Sequence, residues 1–236
     1  MLTPMNSLII YWILFLAVRL FCLSEGKVLS PWRYRLLLML HVGLVVSLFQ
    51  VTEIYAFLIA GMILLDTSLY VLEQRLKHSS SIARSLTLFV GLGLGILHVN
   101  LGPDFVSLRW EVMENLRIDI YCFILSVILC LKESNFLIRW FFQHYKLIEK
   151  VEAERDAPAT ANGRIIGDLE RLLLLCFLWE GAIVAATFIV AVKGLARFKK
   201  MEEHQAFAEY VIIGTFLSVL ITLVIYKFSR FLIVVS

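Results

Sequence analysis

A carboxylate inside an apolar run must be protonated or partnered, because left unpaired in hydrocarbon it costs at least a few kcal/mol. Glu180 has that setting, about a dozen residues into the run Leu169–Val192. Thr187 follows seven positions later and so falls on nearly the same helical face. The pair reads as a proton- or ion-coupling site, with a protonated or paired structural Glu in a helix interface as the plainer alternative. Asp66 is a further coupling candidate, and His41 and His98 are single polar groups in other apolar runs. If those runs converge, the three make a proton relay or a metal site. Without HExxH or paired carboxylate–histidine spacing, His41 and His98 are weak metal candidates, and a lone core histidine is more commonly just hydrogen-bonded. No cofactor is expected.

Two further sets carry structure more than chemistry. Glu170, Arg171, Lys193, Arg197 and Glu209 lie toward the ends of the last two apolar runs and read as a charge clamp, with Glu209 facing Lys193 or Arg197 across a hairpin. Gly91 and Gly95 in VGLGLG, and Gly214, Ser218 and Thr222 further on, are small residues at helical spacing. Such stripes let membrane helices approach closely, so they predict a compact bundle. The four cysteines sit inside apolar runs without CxxC spacing, which argues against a disulfide framework or a zinc site.

The elements that must position these groups follow from composition. The chain is 60 % hydrophobic and 17 % charged, against roughly 45–50 % and 25 % in soluble proteins. Its mean hydropathy is +0.85. A net charge of +3 is too small to argue for nucleic acid. The expected fold is an all-α integral membrane bundle of about seven transmembrane helices, six being the alternative, plus one interfacial amphipathic helix. The spans are Leu8–Leu23 (with Arg19 snorkelling from its end), Leu36–Phe49, Ile54–Leu72, Ile82–Leu101, Ile118–Leu131, Leu169–Val192 and Ala208–Tyr226.

Residues 1–131 then form an N-terminal membrane bundle of five spans and 132–161 the interfacial helix and linker. Residues 162–236 form a C-terminal two-helix hairpin with a tail lying at the interface. In 135–152, Arg139, Gln143, Lys146 and Lys150 make a polar stripe opposite Leu137, Trp140, Phe141, Ile148 and Val151, the pattern of a helix lying in the bilayer surface. A soluble partner would dock there. Lys and Arg in the loops favour the N-terminus outside, with one conflict: the basic segment 193–200 falls outside. Walker A, Gly-rich dinucleotide and G-x-S-x-G motifs are absent, and the last span has no central Lys for a retinal Schiff base.

The C-terminal third resembles a bacterial family, domain-of-unknown-function family 3307. Gly163, Ile166, Gly167, Leu169, Glu170 and Arg171 match its opening pattern, and Lys193, Arg197 and Phe198 match its turn. Glu209, Tyr210, Gly214, Thr215 and Ser218 match its end. LKESNFLIRWFF is similar to the family's segment after its fifth span. The early His and Asp positions have no counterpart around Val18–Ser24, and Asp66 and Tyr70 stand where a His and an Asp are expected. His41 and His98 are retained. The resemblance implies a multi-pass protein of the bacterial inner membrane and carries no activity with it. Together these readings point to an oligomeric conduit, transporter-like or membrane-sensing component. Second comes a membrane-anchored subunit recruiting a soluble partner, for example in a stress or defence system; an intramembrane enzyme is third.

Overall fold

The computed structural model describes residues 4–23, 28–48, 53–75, 80–101, 117–145 and 162–235. The loop SLRWEVMENLR, apart from its last residue, Lys146, Lys150 and the linker 154–161 lie outside the described residues. So does the side chain of His98. Every regular element described is helical. The helices are α1 (Pro4–Cys22), α2 (Pro31–Leu48), α3 (Glu53–Arg75), α4 (Ser80–Leu101), α5 (Ile118–Ile128), α6 (Ser134–His144), α7 (Asn162–Trp179), α8 (Ile183–Glu203) and α9 (Gln205–Val235). A π-helical turn, Leu129–Glu133, joins α5 to α6. Among the described residues, two stretches are long and apolar enough to cross a membrane, Ile118–His144 and Gln205–Val235.

The chain forms two compact units, one running to Ile128 and including the chain from Ser229 on, the other Leu129–Phe228. In the first, α1 packs on α2, α4 and α5, and α3 closes a ring between α2 and α4. Proline opens both α1 and α2, where its missing N–H is unsatisfied in any helix. The expected glycine stripe does its packing here. A Cβ on Gly91 would lie 2.2 Å from the ring of Phe15, and one on Gly95 would lie 2.6 Å from Tyr11. The two glycines therefore seat the aromatic face of α1 directly on α4.

Inside its apolar core this unit also encloses charged groups. Arg19, His41, Asp66, Glu73, Arg84 and Thr87 are buried, while Trp32, Met39, Phe57, Leu64, Phe89 and Leu97 face outward. Arg19, expected to snorkel, turns inward instead and is 2 % exposed. Its guanidinium donates to the Arg84 carbonyl at 2.8 Å and to Thr87 Oγ1 at 3.2 Å. A cation that finds two fixed acceptors inside the bundle has no reason to reach for the surface. The tail differs too. It continues α9 as helix, with Ser229 buried and within 2.5 Å of Ser126 on α5, while Phe231 and Val234 are exposed.

In the second unit the run Leu169–Val192 is not one span. It breaks at residues 180–182, where Gly181 adopts φ +74°. Ala182 N–H donates to the Phe177 carbonyl at 2.8 Å and Gly181 N–H to the Leu178 carbonyl at 3.2 Å. This is a Schellman cap, the usual way a glycine ends a helix. The chain then reverses, and α8 packs back along α7 through Leu174, Leu178 and Ala186. At the other end of that contact Lys193 donates to Glu170. The segment after the expected fifth span also differs. α6 buries Asn135, Phe136 and Phe142, and the Phe142 ring packs at 4.6 Å on Tyr210 of α9. Its described part is docked on protein along one face, with Trp140 partly exposed.

Candidate functional site

The strongest constellation lies in the first unit. Position 41 faces the interior of α2 and position 66 the interior of α3, helices that pack side by side. His41 Nδ1 stands 2.9 and 3.0 Å from the two Asp66 oxygens. The residues are 1 % and 2 % exposed. With Asp66 as a carboxylate, which offers acceptors alone, Nδ1 carries the hydrogen and Nε2 keeps the lone pair. Nε2 is buried, with no hydrogen-bond partner among the described residues. The pair thus links α2 to α3 through a histidine and a carboxylate, both enclosed by the bundle.

Phe15 ties this pair to the buried arginines. Its ring stacks on His41 at 4.9 Å between centroids, and the Arg19 guanidinium carbon lies 5.7 Å from the same ring. Beyond Arg19, Arg84 Nε donates to Glu73 Oε1 at 2.5 Å, and Glu73 Oε2 accepts the Leu29 N–H at 2.7 Å. The interior thus holds two polar groupings, His41–Asp66 and Arg19–Arg84–Glu73, separated by the Phe15 ring that both touch. Sequence reading missed Arg19, Glu73 and Arg84 as members of it. The available signal was that all three are ionisable groups in or beside apolar runs.

The predicted candidates divide. Asp66 and His41 are brought together. Glu180 is not buried: it lies in the turn between α7 and α8 and is exposed. Thr187 is exposed on α8, its hydroxyl donating to the Val184 carbonyl at 2.8 Å, so the turn separates the two residues that one straight helix would have aligned. The clamp forms in altered pairs. Lys193 is taken by Glu170, and Glu209 is exposed and accepts from Gln205 at 3.4 Å. Arg171 is buried and turns inward within its unit, donating to Asp168, to Asn135 and to the Cys130 carbonyl.

Part of the C-terminal third comes together around a cleft. Glu170, Arg171, Lys193, Thr215 and Ser218 line one small cleft, walled by Leu174, Ile189, Val190 and Val219. A Cβ on Gly214 would lie 3.0 Å from the ring of Phe142, and Thr222 is fully buried with its hydroxyl on the Ser218 carbonyl, so this stripe serves packing. Among the described residues no group of three or more His, Cys, Asp or Glu could hold a metal ion.

The described residues define a helical protein with charged groups buried among apolar ones, many apolar side chains exposed, and two helices long and apolar enough to cross a bilayer. No family profile, curated protein or solved structure matches the chain.

Proposed function

We propose that the chain is a multi-pass membrane protein in which the His41–Asp66 pair is the proton-responsive centre of a transport or sensing unit. The observation that carries this reading is a histidine 1 % exposed whose Nε2 has no partner among the described residues, inside a bundle with many exposed apolar side chains. In water, exposed apolar side chains this numerous would be costly, since large apolar patches on soluble proteins mark interaction sites. In lipid the same surface is solvated, and buried ionisable groups then mark ion or proton pathways. The location we propose is a bacterial inner membrane.

The pair suits this role better than Glu180, which the turn leaves exposed. The recruiting reading is the weaker one, since Arg139 and Gln143, half of its polar stripe, already have interaction partners in the fold. Purified protein in liposomes loaded with a pH-sensitive dye tests the proposal. Proton movement should be measurable, and His41→Gln or Asp66→Asn should abolish it while leaving the helical content unchanged. Flux that survives both substitutions would exclude the pair as the centre.

A further inference from the structure

The α7–α8 hairpin offers an interaction surface that the expected span count hides. By length and composition neither helix qualifies as a membrane span, because both carry charges. Several of those charges are paired: Asp168 with Arg171, and Glu170 with Lys193. The faces left outside are largely apolar. Ile165, Ile166, Leu169 and Leu173 on α7, with Val184, Phe188, Leu195 and Phe198 on α8, are all exposed. At a rise of about 1.5 Å per residue, Ile165 and Phe198 each lie about 25 Å along their helices from Gly181, close to the roughly 30 Å of a hydrocarbon core.

We infer that α7 and α8 are two crossing arms whose outer faces meet lipid acyl chains. The turn at 180–182 then emerges at the external interface, and the chain returns near Arg197 and Lys199 to the anionic headgroups of the cytoplasmic leaflet. The inference rests on the membrane reading above. It accounts for three observations at once. Glu180 needs no partner, because it sits in the headgroup region and not mid-membrane. Trp179, edge-on against Tyr226 at 6.0 Å, stands beside the turn at the depth where amphipathic aromatics gather. The basic segment 193–200, which breaks the charge rule when 169–192 is a single span, comes back to the side from which α7 started and obeys it.

The test uses single cysteines in the full chain. Cys176→Ala removes the one exposed native thiol, leaving buried Cys22, Cys122 and Cys130 as background. A membrane-impermeant maleimide applied to intact cells should label Glu180→Cys and Ala182→Cys, and should label Lys199→Cys only in inverted vesicles. Two turn positions guard against one variant failing to fold. Labelling of the turn and of position 199 from the same face, or of the turn from neither face, overturns the inference. Release of the protein from membranes by alkaline carbonate would instead overturn the membrane reading on which it rests.

Discussion

Arg84 and Glu73 form an ion pair at 2.5 Å with side chains 2 % and 0 % exposed, joining α4 to α3. Two opposite charges this deep are stable only as a set, because each is expensive without the other. Glu73 also accepts the Leu29 N–H, so it anchors the segment leading into α2. Glu73→Ala should therefore cost about 3–5 kcal/mol, the usual penalty for stranding a buried charge. The double replacement Glu73→Met with Arg84→Leu should recover most of that. Denaturation midpoints in detergent check both, and additive losses in the double variant would show that the two side chains do not act as a pair.

The glycines of α4 make a second prediction with its own control. Gly91→Ala drives a methyl into the Phe15 ring at 2.2 Å, whereas Gly93 has nothing within 4 Å of the same position. Gly91→Ala should destabilise by about 1–3 kcal/mol through overpacking. Gly93→Ala should be neutral or stabilise by up to about 1 kcal/mol, since it removes backbone freedom without a clash. Shortening the neighbour, as in Phe15→Leu, should partly rescue Gly91→Ala. Equal thermal shifts at positions 91 and 93 would mean that α1 does not sit on this face.

Gly181 is constrained differently. Nothing lies within 4 Å of its Cβ position, but its φ of +74° is one that L side chains rarely adopt. Gly181→Ala should thus lose about 1–2 kcal/mol from backbone strain alone, and Gly181→Asn should lose less because Asn tolerates the left-handed region. Thermal unfolding of the two variants separates strain from steric clash. An Ala variant as stable as the parent would place a continuous helix through 180–182.

Helical content, the apolar outer surface and the Gly91–Gly95 contact follow from periodicity and small-residue spacing, because those patterns are local. The direction in which Arg19 points is not local. It depends on acceptors sixty-odd residues away, the Arg84 carbonyl and Thr87 hydroxyl. The partner of Lys193 likewise depends on whether the chain reverses at Gly181. That reversal is legible, since a glycine after a helical run is a stop signal, but the unbroken hydropathy of Leu169–Val192 masks it. A straight helix through that run puts Glu180 and Thr187 on one face and makes Glu180, not Asp66, the buried carboxylate of interest.

Arg171 gives the last prediction. The π-helical turn at Leu129–Glu133 includes Leu131 at φ −75°, ψ −108°, outside the helical region. A break of this kind frees backbone carbonyls, which need donors when buried. Arg171 Nε supplies one to Cys130 at 2.9 Å, and Ser134 Oγ supplies another to Leu129 at 2.7 Å. The rest of the guanidinium is held by Asn135 and Asp168, so its plane is fixed before it meets the carbonyl. Lysine has neither the planar fork nor the second nitrogen to keep these contacts together. Arg171→Lys should accordingly destabilise the second unit by about 2–3 kcal/mol, the cost of a lost charged hydrogen bond with a stranded acceptor. Amide hydrogen exchange should rise around 129–135 and stay unchanged in α1–α4. Uniform exchange across the chain would mean that the turn holds its shape without Arg171.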